Sequence, residues 1–526
     1  MKNAKKLLIN TLLLTATSLA MKTVAVLYNV FLTGRIGTAG IGLFSLIMTV
    51  YAFAKTLGAS GLSLASTRLT VDNPDAAARN MRKLVLSGLT AGLIAGALLY
   101  FCAGMAAELW LQSAATAPSL RILAFSLPFI SMTVCFGGYF TAVRKMAIFA
   151  VITFVEQLIK IALSVVFLNY ASGSGESCAA ISFAILVSEI FSFTVSFIVY
   201  ILLSPLRKGG GRSRFMRSFL RIAAPDASGA WVRSALRTVE HLLIPSGLKR
   251  SGVSETEALA SYGAVQGLAL PVLLYPASLL SSLSGLLVPE IAESNAEKKK
   301  KHIEYMVNRV LSASIVFSIF ISGAMLCFSD TLSMAVYKNM DAAPYIKLIA
   351  PLIPVMYIDM TIDGMLKGLD KQMAVMRINI LDSVICVILV AVLVPKYAVN
   401  GYLQTIYIAE IVNFTLSYWT LYRNCLLKIS IKDKIIKPMI GICTAVAAGR
   451  IISRMADGYI LSTVIGITSA ALIYIFLLFL MKCITSEETE WIRVLFHIGK
   501  KKNPKKLKKH ADRKELKTLK HGNEPD

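Results

Sequence analysis

Fourteen apolar stretches, each long enough to cross a lipid bilayer, constrain this sequence more than any other feature. The hydrocarbon core of a bilayer is about 30 Å thick and needs about 20 consecutive apolar residues in a helix. Hydrophobic residues make up 56% of the chain and its mean hydropathy is +0.66, which is too apolar for a soluble protein of this length. The sequence therefore predicts an all-α polytopic membrane protein. The stretches lie near residues 7–33, 41–66, 84–107, 120–143, 147–170, 179–204, 218–246, 257–289, 306–328, 346–367, 373–394, 401–422, 434–455 and 458–483.

The net charge of +25 is distributed by membrane side rather than gathered into one basic surface. If the N-terminus lies in the cytoplasm, the loops on that side hold most of the Lys and Arg residues, including the clusters at 207–221 and 298–301. This asymmetry follows the positive-inside rule. We therefore expect a multi-pass protein of the bacterial cytoplasmic (inner) membrane, with both termini in the cytoplasm and no nucleic-acid partner.

The predicted helices group into two pseudo-symmetric six-helix lobes and a final pair. Residues 1–206 form the first lobe and residues 215–428 the second. Between them, residues 207–214 have the Gly- and Arg-rich composition of a flexible cytoplasmic linker. Residues 429–484 add two helices, and residues 485–526 form a basic cytoplasmic tail. In that tail, residues 491–498 predict a short interfacial helix, and the basic segment beyond it is expected to be a disordered contact for anionic lipids.

An internal repeat supports the division into two lobes. With an offset of 226 residues, the segment 128–166 aligns with the segment 354–392. Pro128 then meets Pro354, and the carboxylate of Glu156 meets that of Asp382. Duplicated helices that each carry an intramembrane acid are typical of transporters, which place the substrate between two similar halves.

Cations inside the predicted helices mark a candidate substrate cavity, since each costs about 2.5–3.5 kcal/mol to insert at mid-membrane. Lys22 and Asn29 share one face of the first helix, seven residues apart. Several cations facing one water-filled cavity would suit a pyrophosphate, because Arg forks match phosphate oxygens. Alternatively, Asp226 and Glu240 neutralise the cations of the seventh helix by pairing at helical spacing. The predicted cavity cations are Lys22, Lys55, Arg233 and Arg237.

Acids and amides inside the helices form a second set of candidates, for ion coupling. Asn379 and Asp382 lie three residues apart on one helix face, and carboxylate and amide oxygens suit Na⁺ or a proton. Glu156, with Gln157 beside it, is the repeat partner in the first lobe. In each case the alternative is a hydrogen bond between packed helices. Further candidates are Glu189, Glu240 and Glu410, whereas Asp363 and Lys367 are expected to form a structural pair at the membrane edge.

A search for catalytic motifs finds none, so the chain is predicted not to be an enzyme. The glycine-rich segment 34–40 links two membrane helices without a preceding strand, which argues against a dinucleotide site. The sequence contains no Walker A motif and no cysteine pair at CxxC spacing. Five histidines, of which only His241 falls in a predicted helix, make a histidine-based metal centre improbable. We expect no cofactor apart from Na⁺ or H⁺ coupling.

Three segments resemble a known family. Residues 34–44 (Gly-Arg-Ile-Gly-Thr-Ala-Gly-Ile-Gly-Leu-Phe) resemble the first interhelix segment of polysaccharide-export flippases. Residues 275–291 and 363–383 resemble the stage V sporulation protein B-like branch of the multidrug/oligosaccharidyl-lipid/polysaccharide exporter superfamily, which includes the lipid II flippases. The resemblance implies two six-helix lobes in a V around a central cavity, alternating access and frequent ion coupling. It also implies a cationic cavity, with Lys22, Arg35 and Arg233 at comparable places. Asn29 departs from the pattern, because close relatives often carry arginine there.

The predicted function is therefore a flippase for a polyprenyl-(pyro)phosphate-linked saccharide, such as a peptidoglycan precursor or another polysaccharide unit. The expected partners are that lipid-linked sugar, the membrane lipids and cell-wall synthesis proteins. One alternative is a cation- or proton-coupled multidrug antiporter of the same superfamily, which would require an acidic or aromatic cavity. Another is an integral-membrane glycosyl- or phosphotransferase, but that would require a carboxylate cluster at a membrane-edge loop, and Asp72 and Asp75 stand alone.

Overall fold

The computed structural model describes residues 2–72, 76–111, 113–171, 173–204 and 215–483. The predicted linker at 207–214 and the predicted tail at 485–526, with its interfacial helix and basic segment, lie outside these residues. We refer to 2–204 as the N-terminal half and to 215–483 as the C-terminal half.

Seventeen α-helices account for most of the described chain, and no strand occurs within it. Short π-helical segments at Ala106–Trp110, Ala264–Ala269 and Lys432–Ile436 and 3₁₀ segments at Ala114–Thr116 and Ala350–Leu352 adjoin them. The helices are α1 Lys2–Ala59, α2 Leu62–Asp72, α3 Ala77–Met105, α4 Ala117–Ala124, α5 Leu127–Ala142, α6 Met146–Leu168, α7 Ser174–Leu203, α8 Phe215–Arg250, α9 Glu255–Gly263, α10 Leu270–Leu274, α11 Ala277–Ala296, α12 Lys300–Tyr337, α13 Ala343–Ile349, α14 Ile353–Gly368, α15 Gln372–Asn424, α16 Lys437–Ser453 and α17 Tyr459–Leu480.

Two of these helices are too long for a single membrane crossing. A straight helix of 58 residues, the length of α1, would extend about 87 Å at 1.5 Å per residue, almost three times the bilayer core. In α1 the helical backbone breaks at Gly37 (φ 69°, ψ 176°), a conformation that glycine adopts without steric cost. In α15 it breaks at Ala398. Each break divides its helix into two lengths suited to one crossing, as the predicted stretches 7–33 with 41–66 and 373–394 with 401–422 require.

The predicted fold class is confirmed. Ten of the described helical segments are long and apolar enough to cross a membrane, or eleven when the bent pair Ala114–Ala124 and Leu127–Ala142 is taken as one span. Two of the ten contain the breaks at Gly37 and Ala398. The polar helix α8 falls outside the ten because of its charged stripe, although its 36 residues are long enough. The described segments thus accommodate the fourteen predicted spans in an all-α membrane protein.

Helix α1 lies between the two halves of the molecule. It packs against α3, α5 and α6 of the N-terminal half and against α8 and α9 of the C-terminal half. The C-terminal half is held together by contacts of α15 with α8 and of α14 with α11, α12 and α15. A large buried apolar cluster crosses from Leu32 and Ile47 in α1 to Tyr262 in α9 and Tyr402 in α15.

Helices α16 and α17 pack against each other and against α12. The Tyr474 hydroxyl donates to the Val316 carbonyl at 3.0 Å, and Phe328 reaches the glycine face of α17 at Gly466. A buried apolar cluster that includes Ile319, Val446 and Ala470 fills the contact. The predicted C-terminal pair is therefore attached to the C-terminal half through α12.

Candidate functional site between the two halves

The two halves contact each other at two levels of the molecule. Helix α1 runs from its start to the break at Gly37 and then back again. We call the level of Gly37 the upper end, and the level at which α1 begins and to which its second part returns the lower end. At the upper end the backbone of α1 meets that of α9, where Gly42 packs on the Leu259 carbonyl. Nearby, the Thr38 hydroxyl donates to the Asp341 carboxylate at 2.5 Å.

At the lower end the second part of α1 meets α8. The Trp231 indole N–H donates to the Thr56 carbonyl at 3.2 Å, and the Ser234 hydroxyl donates to the Thr56 hydroxyl at 3.3 Å. Gly61 packs on the backbone of Ala223 one turn further along. The two halves are therefore in contact both near Gly37 and near Thr56.

Two adjoining cavities lie between the two halves, above the level of Lys22. One, of about 250 Å³, is lined by α1, α6, α7 and the start of α10, and it includes Lys160 and Gln157. The other, of about 240 Å³, is lined by α1, α8, α9 and the π-helical segment Ala264–Ala269. Asn29, Phe44 and Met48 border both. Together the cavities fall within the range of about 300–1,000 Å³ that is typical of ligand sites.

Uncharged polar side chains surround the second cavity on the side of the C-terminal half. His241 Nδ1 lies 3.2 Å from the Tyr262 hydroxyl and 3.4 Å from Gln266 Nε2. Gln266 Nε2 also donates to the Tyr402 hydroxyl at 2.8 Å. From the other half, Asn29 Nδ2 donates to the Gly267 carbonyl at 3.4 Å. The π-helical turn that carries Gln266 and Gly267 is of a kind that occurs frequently at functional sites.

The predicted cavity cations do not form one cluster. Lys22, Lys55, Arg233 and Arg237 are all exposed. Lys55 interacts electrostatically with Glu156 and Glu189, whereas Arg237 interacts with acids of the C-terminal half. In the described residues, Lys22 and Arg233 have no acidic partner, and Arg233 Nε donates only to the Gly229 carbonyl, at 3.4 Å. The pairing alternative for the seventh helix therefore applies to Arg237, which interacts with Glu240, but not to Arg233.

Arg35 lies apart from the other predicted cations. It is 13 residues beyond Lys22 on the same helix, which is about 20 Å along the axis. Its guanidinium donates to Asn169 Oδ1 at the end of α6 at 3.3 Å and lies 5.9 Å from the centre of the Phe31 ring. These contacts tie the upper end of α1 to α6.

Lys160 is a cavity residue that the sequence reasoning missed. It lines the first cavity, donates to Gln157 Oε1 at 2.5 Å and interacts electrostatically with Glu156 and Glu189. Glu156 thus has two cationic neighbours, Lys55 and Lys160. A signal for Lys160 was present, because it follows Glu156 by four residues and so shares its helix face.

The acids of the C-terminal half cluster among α8, α14 and α15. Asp382 interacts electrostatically with Arg237 and Glu240 of α8. Asn379, predicted to act with Asp382, lies beside Asp363 of α14. Asp363 also interacts with Lys367, as predicted for a structural pair.

One buried hydrogen bond in this cluster joins helices that are distant in sequence. Asn413 Nδ2 donates to Asp359 Oδ2 at 2.9 Å, and both residues are more than nine-tenths buried. Asp359 Oδ1 and Asn413 Oδ1 are buried without a hydrogen-bond donor of good geometry, and the Ser417 hydroxyl lies beside the Asp359 carboxylate and stabilises its charged form. Glu410 interacts electrostatically with Asp359, Asp363 and Asp382. Among the described residues, no group of three or more His, Cys, Asp or Glu side chains is placed to hold a metal ion.

A bundle of membrane-length helices in two halves that line a cavity between them, with charged side chains around it, is the architecture of a multi-pass membrane transporter. The chain belongs to the polysaccharide biosynthesis protein family, whose model matches residues 7–283, just over half of the chain. The MatE family model matches residues 251–393. The family expected from the segments 34–44, 275–291 and 363–383 is confirmed.

Two curated relatives from Bacillus subtilis (strain 168) are similar to the chain. Stage V sporulation protein B is 24% identical over 404 residues, which cover 73% of this chain and 77% of that protein. Sporulation protein YkvU is 22% identical over 231 residues, which cover 43% of this chain and 52% of that protein.

Solved structures share the fold. Lipid II flippase MurJ in an inward closed conformation superposes with a TM-score of 0.71 at 15% identity, covering 89% of this chain and 98% of that one. An inward-facing multidrug resistance MATE family transporter of the MOP superfamily gives a TM-score of 0.59 at 14% identity, covering 77% and 94%. Both solved structures are of transport proteins, and the likeness shows that this chain shares their fold.

Proposed function

We propose that this protein moves a polyprenyl-(pyro)phosphate-linked saccharide across the bacterial cytoplasmic membrane by alternating access. Membership of the polysaccharide biosynthesis family and the similarity to Stage V sporulation protein B over most of the chain support this function. The fold shared with Lipid II flippase MurJ is suited to it. The prevalence of Lys and Arg in the loops at the lower end supports placing that end, and both termini, in the cytoplasm.

The observation that carries the proposal is the pair Lys22 and Arg233. They lie on α1 and α8, the helices that contribute Asn29 and His241 to the second cavity. Neither has an acidic partner among the described residues, so both charges are available to an anionic ligand. A pyrophosphate would supply the missing countercharge through charge-assisted hydrogen bonds. Residues 1–206 and 215–428 would act as the two lobes, joined by the linker at 207–214, and cell-wall synthesis proteins are the expected partners.

Reconstitution tests this function directly. The purified protein is placed in liposomes with a fluorescent polyprenyl-pyrophosphate sugar, and appearance of the sugar in the opposite leaflet is followed. We expect Lys22→Ala and Arg233→Ala to lose most transport, while Arg454→Ala, at the exposed end of α16, keeps it. Transport by both cavity variants at the wild-type rate would contradict the proposed binding role.

Ion coupling is the second part of the proposal, and the acidic cluster of the C-terminal half supports it. A hard monovalent cation such as Na⁺ prefers oxygen ligands. The buried oxygen atoms Asp359 Oδ1 and Asn413 Oδ1, which lack a hydrogen-bond donor, are ligands of this kind. Since no three acidic side chains among the described residues are placed to hold one metal ion, a cation there would combine one carboxylate with amide or hydroxyl oxygens. Asp382 and Glu240 instead suit proton exchange beside Arg237. Transport driven by a Na⁺ gradient but not by a pH gradient would select the first site, and the opposite result the second.

A cation- or proton-coupled drug antiporter is the alternative, favoured by the MatE match at 251–393 and by the same acidic cluster. The two functions differ in the charge of the ligand that the cavity accepts. Unpaired Lys22 and Arg233 favour an anion. Efflux of lipophilic cations by the reconstituted protein, without any movement of the lipid-linked sugar, would establish the antiporter instead.

A further inference from the structure

The upper part of the interface differs in chemistry from the lower part. None of the ten residues that line the second cavity carries an acidic or basic group other than the imidazole of His241. Six of them offer hydrogen-bonding groups, and Phe44 and Met48 offer apolar surface. This combination suits an uncharged ligand that has many hydroxyl or amide groups and an apolar ring face.

The hydrogen-bonding groups are held in place by neighbours rather than left to rotate freely. Gln266 is fixed by the buried Tyr402 hydroxyl on one side and faces His241 on the other. Tyr262, which is 1% exposed, orients the His241 ring. The π-helical turn displaces Gln266 and Gly267 from regular α-helical register, so that both border the cavity. Groups fixed in this way lose little entropy when a ligand binds.

Helices α1 and α8 each carry one cation without an acidic partner and one residue of the second cavity. The distance along the helix between the cation and the cavity residue is similar in both. On α1, Asn29 is seven residues above Lys22, or about 10 Å. On α8, His241 is eight residues above Arg233, or about 12 Å. The packing of Gly61 on Ala223 shows that α8 begins at the same end as α1. Lys22 and Arg233, one from each half, therefore lie about 10–12 Å below the uncharged cavity.

We infer that the cavity lined by Asn29, His241 and Gln266 is a subsite for an uncharged sugar ring of the lipid-linked substrate, positioned above a pyrophosphate held at Lys22 and Arg233. This inference rests on the proposed function and adds the orientation of the substrate: sugar toward the upper end, phosphates toward the lower end. At about 240 Å³ the cavity is smaller than the range for drug-sized ligands, so it admits a single ring rather than a whole head group.

Paired lipid probes test the subsite. Binding to the full-length protein in nanodiscs is measured for polyprenyl pyrophosphate and for the same lipid carrying one N-acetylhexosamine. Loss of one hydrogen bond in Gln266→Ala should weaken binding of the sugar-bearing lipid about 2- to 12-fold. Binding of the sugar-free lipid should stay within about twofold of wild type. Gln404→Ala, an exposed glutamine on the same helix as Tyr402, is the matched control and should change neither.

A second variant protects the test against a folding defect. His241→Phe keeps a ring of similar size and removes the ring nitrogens, and it should give the same selective loss. An equal loss for both lipids in the two variants, or no loss for either, would overturn the subsite. If the wild-type protein binds neither lipid, the proposed function itself fails. Selective loss of the sugar-free lipid alone would place the pyrophosphate, not the sugar, in this cavity.

Discussion

The close contact between α1 and α9 makes Gly42 the position at which one methyl group should open the upper end. A Cβ atom at Gly42 would lie 2.1 Å from the Leu259 carbonyl oxygen, and one at Gly263 would lie 2.2 Å from the Thr38 carbonyl oxygen. Real Cβ atoms essentially never approach within 3.0 Å. In Gly42→Ala the two backbones must therefore separate by about 0.9 Å, the difference between 3.0 and 2.1 Å.

The added methyl group of Gly42→Ala should raise the free energy of the packed contact with Leu259. Overpacking of a close contact typically costs about 1–3 kcal/mol. If the contact exists only when the upper end is closed, that cost falls on the closed state alone. The ratio of open to closed molecules should then rise by about 5- to 150-fold. Thr38 and Asp341 report the change, because their side chains are hydrogen-bonded across the gap. In a background without the native cysteines, T38C/D341C should cross-link readily in the otherwise unchanged protein and several-fold more slowly with Gly42→Ala.

Gly34→Ala is the matched control, since no atom lies within 4 Å of the added Cβ atom. It should leave cross-linking unchanged. Equal cross-linking rates in Gly42→Ala and Gly34→Ala would refute the argument that this contact closes the upper end. A lower melting temperature for Gly42→Ala without a change in cross-linking would show that the glycine serves folding alone.

Three further predictions concern the buried charges. Asn413→Ala should lower the free energy of unfolding by about 1–3 kcal/mol, because it leaves the buried Asp359 carboxylate without its donor; thermal denaturation measures this. Asp382→Asn should leave binding of the lipid-linked sugar within about twofold of wild type but remove the dependence of transport on a pH gradient, because Asp382 is the proposed site of proton exchange beside Arg237; transport is measured in liposomes with imposed Na⁺ or pH gradients. Lys160→Met should reduce transport at least as much as Glu156→Gln, because it leaves Glu156 with one cationic neighbour, Lys55, inside the membrane.

Two of these predictions have a matched control in the chain. Asn424→Ala removes an exposed amide from the end of the same helix as Asn413 and should not change unfolding. Asp330→Asn removes an exposed carboxylate near the end of α12 and should preserve ion dependence. Full transport by Lys160→Met would assign that lysine to helix packing.

The helices were predictable because hydropathy and backbone geometry are local properties. Each predicted stretch has a helical counterpart, and Gly37 turns the chain where the sequence placed a tight interhelical turn. The polar helix α8 was predicted at 218–246 from the length of that stretch, and its charged residues were assigned to the cavity. The separation of Arg35 from Lys22 also follows from helix rise alone, once the helix is known to continue to Gly37.

The residues on neighbouring helices that interact with each charged side chain were not predictable in the same way. Lys55 and Glu156 belong to helices about 100 residues apart, and which helices become neighbours depends on packing throughout the bundle. The same holds for Asp359 and Asn413, whose contact spans 54 residues. Asn379 illustrates the limit: its spacing from Asp382 is correct for one helix face, yet Asp363 of another helix lies beside it.

The attachment of α16 and α17 to α12 provides a natural reporter of motion. If the C-terminal half moves as a rigid unit, α16 and α17 move with it because they are packed on α12. A spin label on α17 should then keep a constant distance to one on α12 while its distance to α3 changes during the transport cycle. Labels on the outer helix pair can thus follow the movement of the C-terminal half without altering the cavity.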